Sequence, residues 1–324
     1  MTTSGRPPEL SLRISITDRC QLRCLYCRPD RGASVPRPER ALSFEEILRF
    51  VHGLRSDSEV RKVHVTGGEP LIRHGVAGLL RMLATEGIPD LALTTNGQRL
   101  AQMAEELKGA GLRRVNVSLD TLRPDRFRAL ARGGELSRTL NGIEAALRAG
   151  LTPVKINTVV MRGYNDDELA DLVRFALNRG CQVRFLELMP IGCARAEFHR
   201  RFVSSFEVRA RLAESFDLRP LPYEVGQTSR SFVASDSCDR RGLVGFISPC
   251  TQSFCLGCTR IRLTCTGRLV GCLAQGTGRS LGPLLRSDSP QAVRIVNRIV
   301  MEALEGKAQR SGFENAMPMA YVGG

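Results

Sequence analysis

Cys20, Cys24 and Cys27 stand in a C-x3-C-x2-C spacing directly after a short β-branched run. Three thiolates this close can each hold one iron of a cubane [4Fe–4S] cluster and leave the fourth iron open to a substrate or cofactor. A zinc site would want a fourth ligand and usually two CxxC pairs, and buried thiols without a ligand role are the other alternative. Placement after a strand, at the mouth of an α/β sheet, favours the cluster. A second set, Cys255-x2-Cys258 and then Cys272, is again three thiolates rather than four. On spacing alone a structural zinc completed by Cys265 or Cys250 stays open for it. Two incomplete sets together suggest two clusters, each with a free position. Cys181, Cys193, Cys238, Cys250 and Cys265 lack such spacing and receive no role.

The chain has 11 cysteines. That odd count, no apolar run approaching ~18 residues and no apolar segment behind Met1 argue against a disulfide scaffold or a membrane protein. Reduced thiols in a cytoplasm fit better. With 42% apolar residues the chain is not disordered, and 5% aromatics without Trp speaks against nucleic-acid recognition by stacking. A formal charge of +14 favours an anionic partner. Most of that charge is Arg; single Lys residues in strand-like contexts, such as Lys62 and Lys155, are more informative than the total.

Short β-branched runs at residues 12–16, 62–65, 91–94, 114–118, 154–160 and 182–188 alternate with amphipathic stretches. Ser43-Phe44-Glu45-Glu46 reads as a capping box opening a helix to about Leu54. Asn165-Asp166-Asp167 similarly precedes a helix that stops near Arg179-Gly180. Six such βα repeats predict an α/β fold of parallel strands with right-handed crossovers, either an open doubly wound sheet or a partial barrel. In both, chemistry sits at the strand C-termini. Those ends carry Thr17-Asp18-Arg19-Cys20, Thr66-Gly67-Gly68-Glu69-Pro70, Thr95-Asn96-Gly97, Leu119-Asp120 and Glu187-Leu188-Met189-Pro190. After about Gly192 the alternation stops. Residues 195–237 read as Arg-rich and irregular with one helix around 205–214, and another helix is expected near 290–304. The expected domains are therefore 1–195 and a smaller C-terminal region, 196–324.

The stretch from Leu12 to Cys20 with Cys24-Leu25-Tyr26-Cys27 resembles the radical S-adenosylmethionine (SAM) superfamily. Within it, the chain resembles the GTP 3',8-cyclase family that opens molybdenum cofactor biosynthesis. The likeness runs nearly end to end, through Thr66-Gly67-Gly68-Glu69-Pro70-Leu71, Thr94-Thr95-Asn96-Gly97, the Val115–Leu122 stretch, Val154-Lys155-Ile156-Asn157, Arg184–Pro190, the second cysteine set and the terminal Gly323-Gly324. It implies a partial (β/α)6 barrel, two [4Fe–4S] clusters held by Cys20, Cys24, Cys27 and by Cys255, Cys258, Cys272, and SAM on the open iron of the first.

By that resemblance the backbone at Tyr26 and the turn at Gly68 hold SAM, with the glycines letting main chain approach the methionyl amine, and Ser118 and Met189 flank its ribose and adenine. Arg13, His64, Thr95, Lys155, Arg260 and Arg262 contact GTP. Arg13, Lys155, Arg184 and the Gly323-Gly324 tail are the catalytic candidates. The implied activity is a lyase reaction: SAM cleavage gives a 5'-deoxyadenosyl radical, which takes the C3' hydrogen of GTP. The carbon radical adds to guanine C8, and the product is (8S)-3',8-cyclo-7,8-dihydroguanosine 5'-triphosphate. The resemblance further implies a cyclic pyranopterin monophosphate synthase downstream and a reductant such as flavodoxin or ferredoxin. It implies neither nucleic-acid nor membrane partners, and it allows a homodimer.

Several positions depart from the family pattern. His64 stands where an Arg is common, Thr259 replaces an Asn, Ala274 an aromatic, Arg28 a Met, and Cys265-Thr266 a small residue and Asp. The drift concentrates at the substrate end, which keeps open a paralogue acting on another nucleotide or a peptide in secondary metabolism. A basic nucleic-acid-binding or zinc protein is the alternative of a different class, and it leaves the first cysteine set unexplained.

Overall fold

The computed structural model describes residues 7–29, 41–276, 278–307, 312–313 and 319–322. Strands β1 (Glu9–Ser15), β2 (Glu59–Thr66), β3 (Asp90–Thr95), β4 (Arg114–Ser118), β5 (Lys155–Val160) and β6 (Gln182–Glu187) lie side by side, all parallel, in chain order. Helices α1 (Phe44–Leu54), α2 (Val76–Thr85), α3 (Leu100–Gly109), α4 (Pro124–Ala131), α5 (Leu136–Arg148) and α6 (Leu169–Arg179) make the crossovers. The capping box at α1 is present: Glu46 N donates to Ser43 Oγ at 3.1 Å and Ser43 N to the Glu46 carboxylate at 2.7 Å. Gly180 ends α6 with a φ of 64°, the left-handed stop its position suggests.

The expectation at Asn165 differs in detail. No side chain caps α6. Asn165 is fully buried and ties two strand ends together instead. Its Oδ1 accepts from Met161 N at 2.8 Å, while Nδ2 donates to Asp120 O at 2.7 Å and Val159 O at 2.9 Å.

The region after residue 195 does not form a sheet of its own. Strands β7 (Asp217–Pro220), β8 (Arg230–Ser235) and β9 (Arg241–Ile247) extend the sheet beyond β6, and β10 (Arg260–Leu263), β11 (Arg268–Val270) and β12 (Gly278–Ser280) extend it beyond β1. Both joins are parallel, β9 on β6 and β10 on β1, giving 12 strands in all. Strands β7 and β8 lie in the stretch that reads as irregular. The first is an exposed edge and the second only half-buried, so neither needs the alternation by which strands are recognised.

Along β1 to β6, apolar side chains point to the helices, while Arg13, Lys62, His64, Arg114, Asn116, Lys155 and Arg184 occupy the other face. A parallel sheet covered on both faces would be apolar on both; here one face lines a polar cavity. Its curvature is evident from charge. Arg13 on β1 and Arg184 on β6 are five positions apart, roughly 24 Å along a flat sheet, yet the guanidinium of Arg184 acts on Arg13 and that of Arg260 on both. The sheet is therefore a partial barrel.

Replacing Asn165 by Ala leaves buried main-chain groups without partners. It should lower stability by about 2 kcal/mol, read as a shift of the urea midpoint with an unchanged slope.

Candidate active site

The first cysteine set lies in the loop leaving β1, which is docked main chain to main chain on two sides. Gly68 N donates to Thr17 O at 2.6 Å and Glu69 N to Arg19 O at 2.8 Å; on the other side Arg23 N and Leu25 N donate to Ala131 O and Leu130 O. The close approach permitted by Gly67 and Gly68 is thus to the cysteine loop itself. A Cβ on Gly67 would lie 2.5 Å from Thr17 O, and one on Gly68 would overlap Arg19 O. Arg28 spans the loop from inside, donating to Asp18 O at 2.5 Å and Cys20 O at 3.4 Å. Glu69 is buried and accepts from Leu71 N, Thr95 Oγ1 and Asn96 N; burial raises its pKa to about 7.

The donor set suits an iron–sulfur cluster. Leu22 N and Asn96 Nδ2 face Cys20 Sγ at 3.4 and 3.7 Å. Burial, then Asp120, Cys27 and Cys20, push the Cys24 thiol well above its ordinary pKa. A bound polycation reverses that penalty and makes the thiolates the stable form. Among the described residues no three Cys, His, Asp or Glu side chains converge where a single ion would be held. Tyr26 donates its hydroxyl to Asp120 Oδ2 at 2.8 Å, and burial lifts Asp120 to about 6. A cleft of about 260 Å³ opens beside this loop, lined by Leu25, Tyr26, Arg28, Met161 and Leu188.

Below the loop lies the charged interior. Arg13 pairs in register with His64 on one side and Arg262 on the other, and Asn157 with Arg184. Burial, then Arg260 and Arg184, bring Arg13 down to about 10; burial, then Arg114 and Arg260, do the same to Arg184. Burial, then Arg184, Arg114 and Lys62, lower Lys155 to about 8. Arg262 is depressed well below its usual range by burial, Arg13 and Arg260. Asp90 bridges Lys62 at 3.0 Å and Arg114 at 2.8 Å. Arg260 carries a buried Nη2 with no hydrogen-bond partner. Such crowding of cations is costly unless an anion completes it.

His64 belongs to a neutral patch amid these charges. Its Nε2 sits 2.6 Å from Thr94 Oγ1 and 3.0 Å from Asn116 Nδ2. An amide donor facing Nε2 makes that atom the acceptor and assigns the proton to Nδ1. Burial, then Arg13, Arg114, Arg184 and Lys62, hold the ring uncharged.

The structure places Arg13, His64, Lys155, Arg184, Arg260 and Arg262 on one face of the sheet. Thr95 is not among them: it points to the opposite face, with its hydroxyl on Glu69 at 2.8 Å, and Thr94 takes the inward place. Ser118 lies on the inner face at the rim, and Met189 follows β6. Gly323 and Gly324 lie outside the described residues. Sequence reasoning assigned no site role to Lys62, Asp90, Arg114, Asn116 or Asn157, the last of which accepts from Arg184 Nε at 2.9 Å. It also missed Ser229, whose buried Oγ has no partner and which packs where a Cβ on Gly245 would be. A signal for the first group existed, since polar residues recur at every second position of Lys62-Val63-His64 and Arg114-Val115-Asn116.

Two outcomes follow from this geometry. Lys155 carries its charge below pH about 8, so tripolyphosphate binding should weaken as pH rises through that value. Lys155→Met should abolish the step and cost about 2 kcal/mol of binding below it, measured by calorimetry across pH. Gly68→Ala should lower both the melting temperature and the iron retained by the first set, by overpacking worth about 1–3 kcal/mol.

The radical SAM superfamily model matches residues 14–176, and the molybdenum cofactor synthesis C-terminal model matches residues 181–313. A GTP 3',8-cyclase from Alkaliphilus metalliredigens is 44% identical over 81% of this chain and 80% of its own length. Another from Pelotomaculum thermopropionicum is 42% identical over 97% of both. Among solved structures, Streptococcus suis SuiB bound to S-adenosylmethionine shares the fold, with a TM-score of 0.59 at 15% identity; the match covers 90% of this chain and 64% of that one. The chain belongs to the radical SAM superfamily and, within it, to the GTP 3',8-cyclase family.

Proposed function

We propose that the chain catalyses the 3',8-cyclisation of GTP, the first step of molybdenum cofactor biosynthesis. The observation that carries this reading is the crowd of buried cations on the concave face of a sheet whose rim bears the Cys20, Cys24 and Cys27 loop. A nucleoside triphosphate supplies the negative charge that those groups lack. Arg260 and Arg262 offer bidentate geometry to its phosphates, with Arg13 and Lys155 beside them. Asn157 aims Arg184 through its Nε. His64, Asn116 and Thr94 present a neutral hydrogen-bonding edge suited to the base or ribose, and Ser229 an unused hydroxyl.

Cys20, Cys24 and Cys27 would hold the first cluster, with SAM seated by Tyr26, the Gly68 turn, Ser118 and Met189; the adjoining cleft would take its adenosyl end. When bound, that pair supplies a 5'-deoxyadenosyl radical able to take the C3' hydrogen of GTP so that C3' can join C8. Cys255, Cys258 and Cys272 would hold a second [4Fe–4S] cluster facing the purine. The thiols of the second set act on Arg260 from close by, which favours a site shared with the substrate. The Gly323-Gly324 tail remains a catalytic candidate that the family implies. No helix among the described residues is long and apolar enough to cross a membrane. Eleven free cysteines suit a cytoplasm, where a flavodoxin or ferredoxin would supply electrons and a cyclic pyranopterin monophosphate synthase would receive the product. A homodimer is compatible with this reading.

The neutral His64 in place of a family Arg supports a second reading, a paralogue that takes another nucleotide. With reconstituted enzyme, SAM and reductant, 3'-deuterated GTP should transfer deuterium to 5'-deoxyadenosine. GTP turnover no higher than the no-substrate control, with a different nucleotide supporting SAM cleavage, would favour the paralogue.

A further inference from the structure

We infer that Lys307 is a positioning residue of the second cysteine set, donating a hydrogen bond to the Cys258 sulfur and so raising the reduction potential of the cluster held there. This rests on reading Cys255, Cys258 and Cys272 as cluster ligands. Lys307 is one of the chain's four lysines. It follows the helix Pro290–Glu305, where its own N–H closes a turn on Leu304 O at 3.2 Å. That helix is anchored: Val296 and Val300 are buried, and Asn297 donates to Gly53 O at 3.0 Å. From this fixed base the side chain reaches back to the segment between the CxxC pair and β10.

The ammonium is placed by three acceptors. Nζ lies 3.4 Å from Cys258 O and 3.5 Å from Cys258 Sγ, and it also donates to Arg260 O. An ammonium has three donors, and this geometry uses all of them on the cysteine segment. Among the described residues no carboxylate pairs with Lys307; the negative charges acting on it are those of Cys258 and Cys272. From its other side the cysteine loop meets the turn between β7 and β8. A Cβ on Gly226 would lie 2.6 Å from Gly257 O, and both glycines have positive φ, 91° and 73°. Gripped between this turn and Lys307, the Cys258 sulfur faces a fixed cation.

A cluster gains a negative charge on reduction, so a hydrogen bond and a positive charge at a ligand sulfur favour the reduced form. A brace acting only on the two carbonyls would leave the potential unchanged, which separates the two roles. The test uses the full chain with both clusters reconstituted anaerobically. Iron is counted, and an EPR-monitored redox titration is run with SAM present to displace the signal of the first cluster. Lys307→Met should retain about eight irons and lower the reduced fraction of the second cluster about tenfold at a fixed potential, equivalent to about 59 mV for one electron. Lys307→Gln, which keeps a neutral donor, should shift less, and the first cluster should titrate as in the wild type. Wild-type potentials in Lys307→Met, or loss of the second cluster in both variants, would overturn the tuning role. About four irons in the wild type would instead show that the reading of the second cysteine set is itself wrong.

Discussion

Like charges gathered inside a protein repel one another and resist leaving water, and that constraint organises this molecule. Arg13, Lys155, Arg184, Arg260 and Arg262 share one concave face, where burial depresses every one of them; neighbouring cations add to this for all but Arg260, on which the thiols of the second cysteine set act in the opposite direction. Only a rigid scaffold holds such an arrangement open, and the apolar opposite face of the same strands provides it. Val63, Val65, Leu93, Val115, Val117, Ile156 and Val183 are all fully buried against the helices. The cost of crowding falls on the folded chain, and an anion bound on this face would relieve it.

The rim follows a different logic, based on main-chain contact rather than charge. The cysteine loop is clasped between the Gly67–Gly68 turn and the end of α4, with Arg28 bridging its ends. Glu69 sits behind this clasp and joins Leu71, Thr95 and Asn96. Thr95 therefore serves the loop's support, and its neighbour Thr94 serves the cavity. Alternation along one strand divides the two duties, because successive side chains leave on opposite faces.

The C-terminal region completes the cavity instead of standing beside it. Through its register with β1, β10 places Arg262 next to Arg13, and through its register with β6, β9 places Gly245 next to Arg184. Gly245 leaves room there for Ser229. The chain after residue 195 thus contributes side chains to the same concave face as β1 to β6.

Much was legible from the residues alone. The six parallel strands, the capping box at Ser43 and the Gly180 stop all depend on local pattern, and local pattern survives folding. Asn165 and Thr95 were not legible, because each is decided by a partner distant in sequence, Asp120 and Glu69. Strands β7 and β8 escaped notice because an exposed edge imposes no apolar period. Nor could spacing show that residues from β10 and β6 would meet across a curved sheet, or that Lys307 would reach Cys258. By itself the sequence determined which elements form and which ligands are available, since propensity, periodicity and spacing act over a few residues. Tertiary structure alone decided which cations share a cavity and in which charge state, because electrostatic coupling and desolvation depend on distances that only the folded sheet sets.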